Sequence, residues 1–84
     1  MPQMVCDIAR IRKIVAQHGR LAVDVNKLGE NSNLYNAGLT SLATVSVMLA
    51  LEDHFDIEFP EAKLGRRTFE SLGAIADAIA ELVP

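Results

Sequence analysis

Apolar residues Val5, Ile8, Ile11, Ile14 and Val15 recur three and four positions apart, with Arg10, Arg12, Lys13 and Gln17 between them. That spacing lays one apolar stripe along an α-helix and predicts a first amphipathic helix from Val5 to His18. Gly19 is placed to end it, because glycine takes the left-handed conformation after a helix without steric cost. From Gly19 to Thr40 the periodicity is lost. Asp24, Asn26, Gly29, Asn31, Ser32, Asn33, Asn36 and Gly38 favour turns, while Leu21, Val23, Val25, Leu28, Leu34 and Tyr35 are scattered among them. This reads as a long loop, and a loop of such length in so short a chain is expected to pin itself to the core through those apolar side chains or to contribute to function.

Ser41 to Phe55 contains neither Gly nor Pro and follows Thr40, whose hydroxyl can accept from the first free amides of a helix. A second helix is predicted there. Pro60 and Gly65 then bracket Glu61-Ala62-Lys63-Leu64, room for one helical turn, and Ser71 precedes Leu72, Ile75, Ile79 and Leu82, the stripe of a final helix. Phe55 to Phe59 alternates for too few residues to make a useful strand. The fold class is all-α, a bundle of three main helices plus one short helix with a long first loop, forming a single domain over residues 1–84.

The second helix has two apolar sides. At about 100° per residue, Thr44, Val47, Met48, Leu51 and Phe55 fall together as its core face. Opposite them Ser41, Leu42, Val45, Leu49 and Glu52 line up, so a serine in the first turn heads a second apolar stripe. One reading makes this helix central and buried all round. The other makes Leu42, Val45 and Leu49 a partner-docking patch beside Ser41.

Composition narrows the function. The 84 residues are 50% apolar and carry a formal net charge of −3, which is enough apolar material for one small core and opposes a polyanionic partner. Residues 1–20 are basic and the remainder acidic, with much of the acid gathered between Glu52 and Glu61. That acidic run reads as a solvated face, or as a negative surface for a basic partner. Nucleic acid is not expected as a ligand. A lone Cys6 makes no internal disulfide, no apolar run is long enough for a membrane span, and no signal-peptide pattern opens the chain, so a cytoplasmic protein is expected.

Catalytic arrangements can be tested against geometry. Ser41, His54 and Asp53 cannot form a triad on one helix, since thirteen residues at 1.5 Å each separate the serine from the histidine by about 20 Å. His18 and His54 read as surface residues. Two histidines and one cysteine without ligand spacing point to no metal site, and neither GxGxxG nor a P-loop is present. Arg66-Arg67 is a short basic pair, read as solvated, with contact to a phosphate as the lesser alternative.

Taken in order, Ala37-Gly38-Leu39-Thr40-Ser41-Leu42, then Met48-Leu49-Ala50-Leu51-Glu52-Asp53-His54-Phe55-Asp56-Ile57-Glu58-Phe59-Pro60, resembles the acyl carrier protein family. The similarity runs over nearly the whole chain, including the Thr68-Phe69 turn and the terminal helix. It implies that Ser41 bears covalent 4′-phosphopantetheine, put there by a phosphopantetheinyl transferase, and that the protein is a carrier and not an enzyme. A hydroxyl at a helix N-terminus after Gly38 suits that role, because free amides there favour a phosphodiester.

Within the family, the Ala37–Val45, Asp56–Pro60 and Arg67–Ser71 segments look closest to the small discrete aminoacyl carrier proteins of rhizobial-type bacteria. The resemblance implies a glycine or alanine cargo held as a thioester and loaded by an amino acid:[carrier protein] ligase, a truncated relative of class II seryl-tRNA synthetases. Two departures from most of the family stand out. Thr40 replaces the usual Asp before the serine, and Ala43 and Ser46 stand where fatty-acid carriers place acids on the outer face of the second helix. A monomer is expected, with Glu52 joining Leu42, Val45 and Leu49 in docking. The alternatives are a carrier for fatty-acid, polyketide or specialised lipid synthesis, and a helical adaptor without a prosthetic group.

Overall fold

A computed structural model describes residues 4–82, with side chains from Ile8 to Leu82; Val5 and Cys6 thus lie outside the described side chains. Three α-helices carry the architecture: α1 (Met4–His18), α2 (Ser41–Phe55) and α3 (Leu72–Leu82). Among the described residues there is no strand. The single short helix expected after Pro60 is a 3₁₀ turn over Glu61–Lys63, and two further 3₁₀ turns form at Val25–Lys27 and Arg66–Phe69.

α1 packs against both α2 and α3. Ile11, Ile14 and Val15 from α1 meet Val47 and Leu51 from α2 and Leu72, Ile75 and Ile79 from α3 in one core, closed at one side by Phe59 and Phe69. The two phenylalanine rings lie edge to face with centroids 5.4 Å apart, the arrangement their quadrupoles favour.

The long loop is sewn to this bundle. Val25, Leu34 and Leu39 are buried in the core. The Arg12 guanidinium on α1 donates to the carbonyls of Val25 at 2.6 Å and Leu28 at 2.7 Å. Gly73 N–H donates to Glu30 O and Leu34 N–H to Glu70 O, which ties the loop to the start of α3. Ser71 caps that helix by accepting from Ala74 N–H at 3.0 Å.

Two expectations change. Gly19 ends α1, but the left-handed residue is Arg20, at φ 52. Gly19 is needed for space: a Cβ there would sit 2.7 Å from the Val15 carbonyl oxygen, closer than any side chain tolerates. On α2 the centre of the buried face is Ala43, Val47 and Leu51, with Thr44, Met48 and Phe55 half-buried at its edge. Ala43 therefore faces the core, not the outer surface. The reason is helical arithmetic: four residues cover about 400°, so Ala43 stands roughly 40° from Val47, while Ser46 stands about 100° away and is exposed.

Candidate functional site

The chain enters α2 through a tightly specified turn. Gly38 has φ 113, a conformation that side-chain-bearing residues rarely adopt, and a Cβ on it would lie 2.8 Å from the Ala22 amide nitrogen. That close approach is fixed by the Ala22 N–H, which donates to Ala37 O at 2.8 Å. Leu39 follows as a buried anchor, its N–H on the Leu34 carbonyl. Thr40 then caps the helix, its Oγ1 accepting from Ala43 N–H at 3.0 Å and its carbonyl from Thr44 N–H at 2.9 Å.

Ser41 is the first residue of α2 and is exposed. Buried Leu39 and Ala43 hold the backbone on either side of it, so Ser41 and Leu42 protrude from a fixed corner. The first turn holds no acid. Hence the positive end of the helix is not neutralised by a neighbouring carboxylate, and this turn offers no local repulsion to an anion.

The apolar stripe leading from Ser41 is a surface. Leu42 is 82% exposed, Val45 48% and Leu49 55%, which settles the question against a helix buried all round. Glu52 behaves differently. It is half-buried, and one carboxylate oxygen accepts from Phe59 N–H at 2.8 Å, so part of its hydrogen-bonding capacity is spent holding the segment after α2. Asp53, next to it, is exposed.

A cavity of about 260 Å³ opens beside the serine. Ser41, Thr44 and Val45 form its α2 wall, Leu64, Gly65 and Arg66 face them, and Tyr35 and Phe69 complete it. Arg66 stacks on Tyr35, its guanidinium carbon 3.9 Å from the ring centroid, and the Tyr35 hydroxyl donates to the Arg66 carbonyl at 3.2 Å. Sequence reasoning missed this pairing. Thirty-one residues separate the partners, no periodicity connects them, and only the folded loop brings them together. The Arg66-Arg67 pair was the one available signal, and it identified the segment but not its contact.

The histidines meet elsewhere. His18 and His54 line a second cavity with Ser46, Leu49 and Asp53, and Ser41 is not part of it. Among the described residues no group of three His, Cys, Asp or Glu side chains could hold a metal ion.

Comparison with known proteins identifies the family. The family model described as phosphopantetheine attachment site matches residues 9–79. An aminoacyl carrier protein from Agrobacterium fabrum is 45% identical over 71 residues, covering 84% of this chain and 86% of the relative. A carrier protein from Agrobacterium tumefaciens, solved with an engineered Bradyrhizobium japonicum glycine:[carrier protein] ligase and ATP, superposes with a TM-score of 0.85 at 43% identity, over 88% of this chain and 96% of that one. The holo acyl carrier protein of Nitrosomonas europaea superposes with a TM-score of 0.78 at 29% identity, over 96% and 95%. An exposed serine at a capped helix start, a groove beside it and an all-α frame shared with these carriers agree with the match, and the chain belongs to the phosphopantetheine attachment family, the carrier proteins whose prosthetic group is 4′-phosphopantetheine.

Proposed function

We propose that this protein carries a small activated amino acid, glycine or alanine, on 4′-phosphopantetheine attached to Ser41, and receives it from an amino acid:[carrier protein] ligase. The observation that carries the reading is the exposed Ser41 hydroxyl at the head of an equally exposed Leu42, Val45 and Leu49 stripe, on a helix whose first turn holds no acid. The aminoacyl carrier relative from Agrobacterium fabrum and the carrier solved with a glycine:[carrier protein] ligase support the choice of cargo and partner.

When attached, the arm supplies a terminal thiol on which cargo rides as a thioester. The work of the polypeptide is positional. Ser41 offers its hydroxyl to a phosphopantetheinyl transferase, which supplies the activation, so no general base is required on this chain. Thr40 and Ala43 fix the helix start, and Leu42, Val45 and Leu49 give an apolar landing surface whose contact is short-ranged. The protein acts as a cytoplasmic monomer that meets transferase and ligase in turn through one face.

Intact mass after co-expression with a broad-specificity phosphopantetheinyl transferase tests the attachment. A gain of one phosphopantetheine is expected for the wild type and none for Ser41→Ala. Loading assays run side by side then test the cargo: an aminoacyl thioester formed with ATP and such a ligase is expected, while efficient malonyl transfer and elongation with no aminoacyl product would make this a fatty-acid or polyketide carrier.

A further inference from the structure

Among the described residues, Arg66 is the one cationic residue that lines the Ser41 cavity. Tyr35 grips Arg66 at two points: its ring face lies under the guanidinium, and its hydroxyl donates to the Arg66 backbone carbonyl. A ring contact engages the guanidinium plane and leaves the N–H edge free to donate. Among the described residues Arg66 makes no ion pair, although the protein is acidic overall. Its neighbour Arg67 is exposed and does not line the cavity. Arg66 thus lines a small cavity with Ser41, and among the described residues no carboxylate pairs with its guanidinium.

We propose that Arg66, seated on Tyr35, is a positioning residue for the phosphodiester of the Ser41-linked arm. The inference rests on the carrier reading above. A phosphodiester carries one negative charge and two unbridged acceptor oxygens, and the planar fork of arginine matches that geometry better than lysine would. Ser41 and Arg66 line the same 260 Å³ space, so a phosphate on the serine hydroxyl would share that space with Arg66. Tyr35 reduces the side-chain freedom Arg66 would otherwise lose on binding, the usual benefit of preorganisation. The contact biases the root of the arm toward the Tyr35 and Leu64 side of α2 and leaves Leu42 and Leu49 uncovered for a partner.

Phosphorus and nitrogen NMR on the full-length chain test this. Apo and holo forms are prepared for the wild type, Arg66→Gln, Arg67→Gln and Tyr35→Leu, with mass spectrometry confirming modification. In the wild type, conversion to holo is expected to shift the Arg66 Nε–H resonance and slow its exchange, and the phosphodiester signal is expected to differ from that of the urea-unfolded holo chain. Arg66→Gln and Tyr35→Leu should move the phosphorus signal toward its unfolded position, while Arg67→Gln leaves it unchanged. Unaltered melting of apo Arg66→Gln shows that folding is not the cause. A normal mass gain with an unmoved Arg66 resonance, or a phosphorus signal indifferent to Arg66→Gln, overturns this inference alone. Absence of any mass gain in the wild type overturns the carrier reading and this inference with it.

Discussion

Leu49 and Leu51 are two residues apart on α2 and chemically identical, yet the structure places them in opposite environments. Leu51 is completely buried between the helices, whereas Leu49 is 55% exposed. Replacing Leu51 with Ala removes a fully buried side chain and leaves a cavity, at a cost of about 3 kcal/mol within the usual range of 2–5. The same change at Leu49 removes apolar area of which less than half is shielded from water. With about 1.5–3 kcal/mol for complete burial of a leucine, the loss there is about 1 kcal/mol. Both substitutions leave alanine in a helix interior, where its propensity is the highest, so backbone preference does not confound the comparison. At about 4–8 °C per kcal/mol for a domain of this size, Leu51→Ala should lower the melting temperature by at least about 12 °C and Leu49→Ala by no more than about 8 °C. Circular dichroism at 222 nm against temperature reads both. Ligase-catalysed aminoacyl loading should order the two the other way when measured well below either melting point. Leu49→Ala should lose about 5- to 30-fold in kcat/KM, the equivalent of 1–2 kcal/mol at a docking residue, and Leu51→Ala should lose little. Equal melting losses for the two variants would refute the reasoning, because Leu49 would then be a core residue and the apolar stripe would not be a surface.

Three other outcomes are expected. Gly38→Ala should destabilise the fold by about 2–3 kcal/mol, read by urea denaturation, because φ 113 and a Cβ 2.8 Å from the Ala22 nitrogen both oppose a side chain. Asp56→Gly should stabilise by about 0.5–1 kcal/mol in the same assay: Asp56 caps α2 in the left-handed region at φ 54, ψ 52, and its carboxylate sits unfavourably at a helix C-terminus. Ligase loading should change little between low and high ionic strength, since the residues exposed along α2 near Ser41 are Leu42, Val45, Ser46 and Leu49; a steep fall with added salt would point to ion-pair docking instead.

The helices were legible because their information is periodic and local. Thr40 followed by an uninterrupted Ser41–Phe55 run specified α2 to the residue, and the helix formed there with Thr40 as its cap. Leu42, Val45 and Leu49 were separable from Val47 and Leu51 by angle alone. What resisted reading depended on position along a turn or on contacts distant in sequence. Gly19 and Arg20 are adjacent, and nothing local reveals that the carbonyl of Val15 crowds the first while the second takes the left-handed conformation. Ala43 is small enough to suit either face, and only the packing fixes it against the core. Glu52 reads from sequence as one of the docking residues, and nothing local reveals that Phe59 seven residues later presents an N–H from which its carboxylate accepts. The Tyr35 and Arg66 contact has no trace in either local segment.

Arg12 on α1 grips the carbonyls of Val25 and Leu28, and further along the same loop the Glu30 carbonyl and the Leu34 amide are bonded to the start of α3. Those attachments tie the loop that leads to Ser41 to two of the three helices. For an arm attached at Ser41 as proposed, the volume swept by a tethered cargo then follows from the length and stiffness of the tether and its contacts near the root, with little added by motion of the loop beneath it. Effective concentration at a partner's site falls steeply as that swept volume grows. A loosened loop would add its own wandering to that of the arm and dilute the cargo at the very place it must be delivered, without altering a single contact between carrier and partner.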